Sequence, residues 1–282
     1  MNVNQTYPTQ VHASIVAFHN NPAELVTAIR SVLGAPLRTA CTVVDNSASC
    51  SLRECVLDSG AQYIHAQRNL GFGGGHNLAL RNHVETGEFC LVLNPDVKFS
   101  PKVLSVLYDF MRKHQDVGLV MPKILYPNGN DQRLCRRLPA PHDLFIRRFL
   151  GGVGRIVLGK QLAKYELSDI DMSVPWEVPC LSGCFMFIRS AVLRQVGLFD
   201  ERYFMYMEDF DLCRRIGSHA KTVYAPQVSI THGYAKGSYA NVTLLRHHVL
   251  SSIRYFGKWG WYFDKERNAL NQRVIPFLSD AG

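Results

Sequence analysis

Between Phe199 and Arg215 the chain reads Phe-Asp-Glu-Arg-Tyr-Phe-Met-Tyr-Met-Glu-Asp-Phe-Asp-Leu-Cys-Arg-Arg. Asp200, Glu201, Glu208, Asp209 and Asp211 crowd into it, although the whole chain has only 23 acids and a formal net charge of +8. Phe199, Tyr203, Phe204, Met205, Tyr206, Met207 and Phe210 surround them. A carboxylate set among apolar groups loses hydration, its pKa rises, and it becomes a better general base. Glu208 and Asp209 fit that chemistry. Asp211 fits better as the cap of a helix beginning near Leu212.

Three further groups are candidates for binding. Asp45-Asn46-Ser47 closes one apolar run and Asn94-Pro95-Asp96 another. Taken alone, Asp96 reads as a turn residue accepting backbone amides. Together with His232 it would make a hard-cation site with positions left for diphosphate oxygens. Gly71-Phe-Gly-Gly-Gly is either a cradle of amides for phosphate or a plain tight turn. It is not a dinucleotide fingerprint, because it follows the third strand and His76 stands where the last glycine belongs. A P-loop is also absent, since no Gly-Lys-Ser/Thr ends the run.

These groups need a frame. Apolar runs at 12–18, 39–44, 62–66 and 89–93 alternate with amphipathic segments, which predicts a doubly wound, mostly parallel α/β sheet. Ligands bind such sheets at the carboxyl ends of strands, where Asp45, Asn46, Asn94 and Asp96 fall. Farther on, strands are expected at 118–124 and 185–188, short ones at 220–224 and 228–231, and a helix over 190–196. The last segment, 241–282, reads as an amphipathic helical extension of a domain spanning 1–240.

At 282 residues, with 47% apolar and 19% charged, the chain is an ordinary globular one. No apolar run reaches the roughly 18 residues of a membrane span, and Met-Asn-Val-Asn-Gln-Thr-Tyr-Pro lacks a signal-peptide pattern. Eight cysteines without a Cys-x-x-Cys pair read as reduced core thiols in a cytoplasmic protein. From Arg133 to Lys164 the cations Arg133, Arg136, Arg137, Arg147, Arg148, Arg155, Lys160 and Lys164 face only Asp143. Such a patch seeks phosphate. Nucleic acid is not the expected source, because no recognition-helix or aromatic strand motif accompanies it.

The order of the pieces is their most specific property. In Val43-Val-Asp-Asn-Ser, Asn69-Leu-Gly-Phe-Gly-Gly-Gly-His-Asn, Leu93-Asn-Pro-Asp, Gly197-Leu-Phe-Asp-Glu and Glu208-Asp-Phe-Asp-Leu-Cys-Arg-Arg the chain resembles the glycosyltransferases of family two, with the GT-A fold. Among them it looks most like the bacterial rhamnosyltransferases of cell-surface polysaccharide synthesis. The resemblance runs from about Ser14 to His232. It implies an inverting transfer from a nucleotide-sugar, dTDP-L-rhamnose before the UDP-hexoses, with a nucleotidyltransferase as the more distant alternative. It divides the domain into a donor half, 12–125, and an acceptor half, 126–240.

Carried onto this sequence, the resemblance sets Phe18, Asp45 and Asn46 around the nucleobase and ribose. The segment holding Asn69, Gly71, Gly73 and Asn77 would close that pocket. Asn94 and Asp96 replace the family's Asp-x-Asp, with Asp96 meeting Mg2+ or Mn2+. Asp209 would be the base with Glu208 beside it, His232 a metal or diphosphate contact, and Lys236 an added positive charge. The implied acceptor is a saccharide, free or linked to polyprenyl diphosphate at the inner membrane face. The basic, apolar segment after Arg133 and the aromatic run from His247 to Phe263 suit peripheral membrane attachment. Packing of that run on the core, or on another subunit of a homo-oligomer, is the alternative.

Overall fold

A strand buried on both faces needs a near-continuous apolar run, and Val-His-Ala-Ser-Ile-Val-Ala supplies one for β1 (Val11–Ala17). The computed structural model describes residues 9–144, 151–233 and 242–277, with the backbone alone over 151–158. After β1, Asn21 accepts from the Ala23 amide and Pro22 takes the first position of α1 (Pro22–Leu33), as the sequence predicts. Then come β2 (Thr39–Asp45), α2 (Arg53–Asp58), β3 (Gln62–His65), α3 (Gly71–Leu80), β4 (Phe89–Leu93), β5 (Val97–Lys98), α4 (Lys102–Lys113) and β6 (Val117–Leu125). The remainder is α5 (Gly151–Glu166), β7 (Trp176–Glu177), β8 (Phe185–Arg189), α6 (Ser190–Val196), α7 (Glu208–Gly217), β9 (Lys221–His232), α8 (Val242–Trp259), α9 (Lys265–Asn271) and β10 (Ile275–Pro276).

The strands form one sheet in the order β10-β7-β9-β6-β8-β4-β1-β2-β3, with β5 added against β9. The half made of β4, β1, β2 and β3 is parallel. β8 inserts antiparallel between β4 and β6, and β6 pairs parallel with β9. The chain end of β4 and the end of β9 therefore meet on one edge of the sheet. Where the sequence predicts two short strands at 220–224 and 228–231, the structure has the single strand β9. Opposite Pro122 and Lys123 the pairing jumps from Ala225 to Ser229, so a bulge carries the strand across Pro226 and breaks its apolar pattern.

A main core fills both faces of the sheet. A second cluster joins Leu144, Leu162, Tyr165, Tyr203, Met207, Tyr255 and Phe256. It ties α5 and α8 to the acidic stretch. Among the described residues no helix is long and apolar enough to cross a membrane.

Candidate active site

The acidic pair stands at the very start of α7. Tyr206 and Met207 just before it both hold positive φ, 69° and 68°. Two successive side-chain-bearing residues in that region are costly, and such strain persists where the surroundings over-determine it. The consequence corrects one expectation. The helix begins at Glu208 rather than near Leu212, so Asp211 does not cap it. Asp211 is wholly buried in the first turn and accepts from Arg215 Nε at 2.8 Å, Lys258 Nζ at 2.6 Å and Trp259 Nε1 at 2.8 Å.

Asp209 is aimed by backbone. Phe210 N donates to its Oδ1 at 2.9 Å and Gly183 N approaches Oδ2 at 3.4 Å. Glu208 is buried, and its Oε2 has no hydrogen-bond partner. Burial, and then the neighbouring Asp209 charge, push the Glu208 carboxyl up to about 8. At neutral pH it is therefore mostly protonated.

The sign of the linkage follows. The folded state binds this proton more tightly than the unfolded chain, so stability falls as pH rises from the ordinary value of 4.5 to about 8. Glu208→Gln should flatten that part of the profile, read as melting temperature against pH. An unchanged slope would mean that Glu208 is ionised in the folded protein.

One cavity of about 360 Å³ gathers groups from distant parts of the chain: Asn94 at the end of β4, His232 at the end of β9, Gly183, Glu208, Asp209, and His248 on α8. Asp96 adjoins it, with Oδ1 3.4 Å from His232 Nε2. Asn94 Nδ2 lies 3.2 Å from the same nitrogen. A carboxylate and an imidazole nitrogen facing one another suit a divalent cation whose other positions are filled by ligand oxygens or water. Among the described residues no third His, Cys, Asp or Glu completes a protein-only cage.

The residues assigned from sequence to the nucleobase lie at the ends of β1 and β2, and none of them lines this cavity. Phe18 is half-exposed. Asp45 is buried and accepts from Ser47 N and Tyr63 OH, each at 2.9 Å. Asn46 Nδ2 donates to Asn69 Oδ1 at 3.3 Å and Gly71 O at 3.0 Å. Asn77 joins α3 to the acidic stretch through Phe199 N at 3.0 Å, Phe199 O at 2.8 Å and Glu201 Oε1 at 2.9 Å. Gly73 packs against the Phe199 side chain. The glycine run is thus the first turns of α3, and Lys236 lies outside the described residues.

Gly71 shows why that run is glycine-rich. Its φ is +75°, and an added Cβ would sit 2.1 Å from Phe204 O, which accepts from Phe72 N at 3.0 Å. Gly71→Ala should therefore destabilise the fold by at least about 2 kcal/mol through backbone strain and overlap. Urea unfolding measures this, and a neutral result would deny the close approach of α3 to the acidic stretch.

Sequence reading missed Gln132 and the pairing of Lys258 with Asp211, and it named Arg136 only as one cation of a basic patch. Gln132 bonds His232, Arg136 lines the cavity and Lys258 pairs with Asp211. Only the basic character of the segment after Arg133 hinted at any of them.

The model of Glycosyl transferase family 2 matches residues 14–197. The chain belongs to glycosyl transferase family 2. Glu208, Asp209 and His232 lie beyond the matched span, so the fold and not the match brings them to the cavity. Among curated relatives, the N-acetylglucosaminyl-diphospho-decaprenol L-rhamnosyltransferase of Mycobacterium tuberculosis H37Rv is 30% identical over 216 residues, 68% of this chain and 66% of that one. The rhamnosyltransferase WbbL of Escherichia coli K12 is 28% identical over 227 residues, 77% and 81% of the two chains. The chain thus spans just under two thirds of the mycobacterial relative.

Solved structures agree in fold. The mannosyltransferase PcManGT of Pyrobaculum calidifontis, in complex with GDP-Man and Mn2+, superposes with a TM-score of 0.57 at 15% identity over 88% of this chain and 65% of that one. GalNAc-T7 with UDP, GalNAc and Mn2+ gives 0.63 at 14% identity over 98% and 53%. This family 2 member has the GT-A sheet, mostly parallel and flanked by helices.

Proposed function

We propose that this chain is an inverting glycosyltransferase that moves L-rhamnose from dTDP-L-rhamnose to a saccharide, carried on polyprenyl diphosphate, in cell-surface polysaccharide synthesis. The observation that carries this reading is the shared cavity, which sets the Asp209 carboxylate against Asn94 and His232. The relatives named for rhamnosyl transfer, one of them to a diphospho-decaprenol acceptor, support the choice of sugar and carrier.

In the reaction the acceptor hydroxyl oxygen attacks the anomeric carbon, and its proton passes to Asp209. The bond from that carbon to the diphosphate breaks, and nucleoside diphosphate leaves on the opposite face. Gly183 N and Phe210 N hold Asp209 in place for this. Glu208, neutral beside it, spares the site a second negative charge. Phe18, Asp45, Asn46 and the Asn69–Asn77 segment, with Gly71 and Gly73, form the nucleoside end, and Asn94 faces the diphosphate.

Asp96 and His232 are the residues that would hold Mg2+ or Mn2+, and their facing carboxylate and imidazole fit such an ion. When bound, a divalent cation neutralises charge on the departing diphosphate. The Mn2+ complexes of the two structural neighbours accord with this.

A panel of nucleotide-sugars decides the donor. Release of dTDP from dTDP-rhamnose, in preference to turnover of UDP-hexoses, is expected. Release of pyrophosphate would instead indicate a nucleotidyltransferase.

The lipid-linked acceptor accords with α8. Val242, Val249, Leu250 and Ile253 are exposed on one face of this helix, which contains no acid. Trp261, Tyr262 and Phe263 are exposed just beyond it, and His248 on the same helix lines the cavity. Apolar side chains flanked by Arg246 and Arg254 suit attachment at the cytoplasmic face of a membrane. The protein should float with vesicles containing anionic lipid, and Ile253→Asp with Phe263→Asp should abolish flotation. Wild-type protein that stays at the bottom of the gradient would rule out membrane attachment.

A further inference from the structure

Gln132 comes to the site by a local turn. After β6 the chain reverses through Tyr126-Pro-Asn-Gly129, where Gly129 holds φ +85° and Tyr126 N donates to Asn130 O at 2.8 Å. Gln132 N then donates back to Ile124 O at 2.8 Å, which buries the side chain beside the end of β9.

The orientation of the amide is forced. Its Nε2 lies 2.8 Å from His232 O and 3.2 Å from Leu125 O. Both are carbonyl oxygens, which only accept, so the NH2 group must point at them. Oε1 is then the atom 3.1 Å from His232 Nδ1. Because Oε1 also only accepts, Nδ1 must carry the proton. The other tautomer would set two acceptors head to head in a buried place, a cost of about 1–3 kcal/mol.

In the neutral ring this leaves Nε2 as the accepting nitrogen: it takes the bond from Asn94 Nδ2 at 3.2 Å, and it faces Asp96 Oδ1, another acceptor, at 3.4 Å across a gap that a cation would bridge. We propose that Gln132 is a positioning residue, which locks His232 in the tautomer that presents Nε2 to Asp96. One amide holds both the ring and the backbone carbonyl of His232, so the imidazole can neither flip nor withdraw. The use of that nitrogen rests on the cation reading above. The tautomer stands independently of it.

The test reads the metal-free, full-length protein first. Nitrogen-15 NMR at mildly alkaline pH, with His232 identified by the signal lost in His232→Gln, should show Nδ1 protonated and Nε2 bare. Gln132→Met keeps the bulk of the side chain but not its hydrogen bonds, and should give a mixture of tautomers. Losing a partner of this kind typically weakens metal binding about 10–100-fold, so Mn2+ titration by electron paramagnetic resonance in the presence of dTDP should show a loss of that size.

A wild-type His232 protonated on Nε2 would overturn the proposal. So would a Gln132→Met protein that keeps the single tautomer and binds Mn2+ as tightly as wild type. A wild-type protein with the expected tautomer but no Mn2+ affinity would sustain the role of Gln132 and sink the cation reading instead. Transfer activity enters none of these outcomes.

Discussion

Asp209→Asn should slow sugar transfer by about 10²–10⁴-fold, the usual cost of removing a positioned general base. The amide is nearly isosteric, and its oxygen can still accept from Phe210 N or Gly183 N, as the carboxylate does at 2.9 and 3.4 Å. Folding and donor affinity should therefore be little changed. The loss should appear in single-turnover rates at saturating donor, with nucleotide-sugar binding followed by calorimetry. Burial, the larger cause of the raised Glu208 carboxyl, persists in the variant, while the smaller push from the Asp209 charge is lost. Turnover like that of the wild type would remove Asp209 from the mechanism.

Asp264→Ala should be the most destabilising single change. Arg214 on α7 and Asp264 before α9 are almost inaccessible, at 1% and 3% side-chain exposure, and meet in two parallel bonds of 2.7 and 2.6 Å. Arg214 also bonds Glu266 at 2.8 Å and lies 4.2 Å from the centre of the Trp259 ring. Removing Asp264 takes two bonds from a buried guanidinium and leaves only the partly exposed Glu266 to balance it, at a cost of about 3 kcal/mol. Chemical denaturation should show a loss of that size. Replacing both, as in Arg214→Met with Asp264→Leu, should cost less than the single change, because no unpaired charge remains. A single variant as stable as wild type would mean that the pair is solvated.

The same pair carries a pH signature. Burial pushes the Asp264 carboxyl up, but the Arg214 bonds and the Arg267 amide outweigh it, and the net shift is downward. The stability it contributes is present above the ordinary aspartate value of 3.8 and is lost as pH falls below it. Asp200, held low by Arg202 in spite of partial burial and then by Lys258, acts in the same direction. These pairs also tie α8 and the start of α9 to the helix that carries the proposed base. Lys258 and Trp259 on α8 grip Asp211, and Asp264 grips Arg214, so both segments hold the helix that starts with Glu208 and Asp209.

Several features could be read from the residues because their causes are local. The apolar runs of β1, β2 and β4, and the Asn21-Pro22 start of α1, depend on interactions within a few residues. So does the placement of Asp45 and Asn94 at strand ends. The ordered motifs added the family, which the match over 14–197 bears out. Only tertiary structure decided the rest. Nothing near Asp211 announces that Lys258 and Trp259 will bury it, and nothing in Asn-Asp-Gln132 announces His232, a hundred positions away. The left-handed pair Tyr206–Met207 starts α7 early because α3 and α8 enclose the acidic stretch, which its own propensities do not foretell. Pattern and propensity act over a turn or a strand, whereas the partner of a buried charge is chosen by which strands become neighbours.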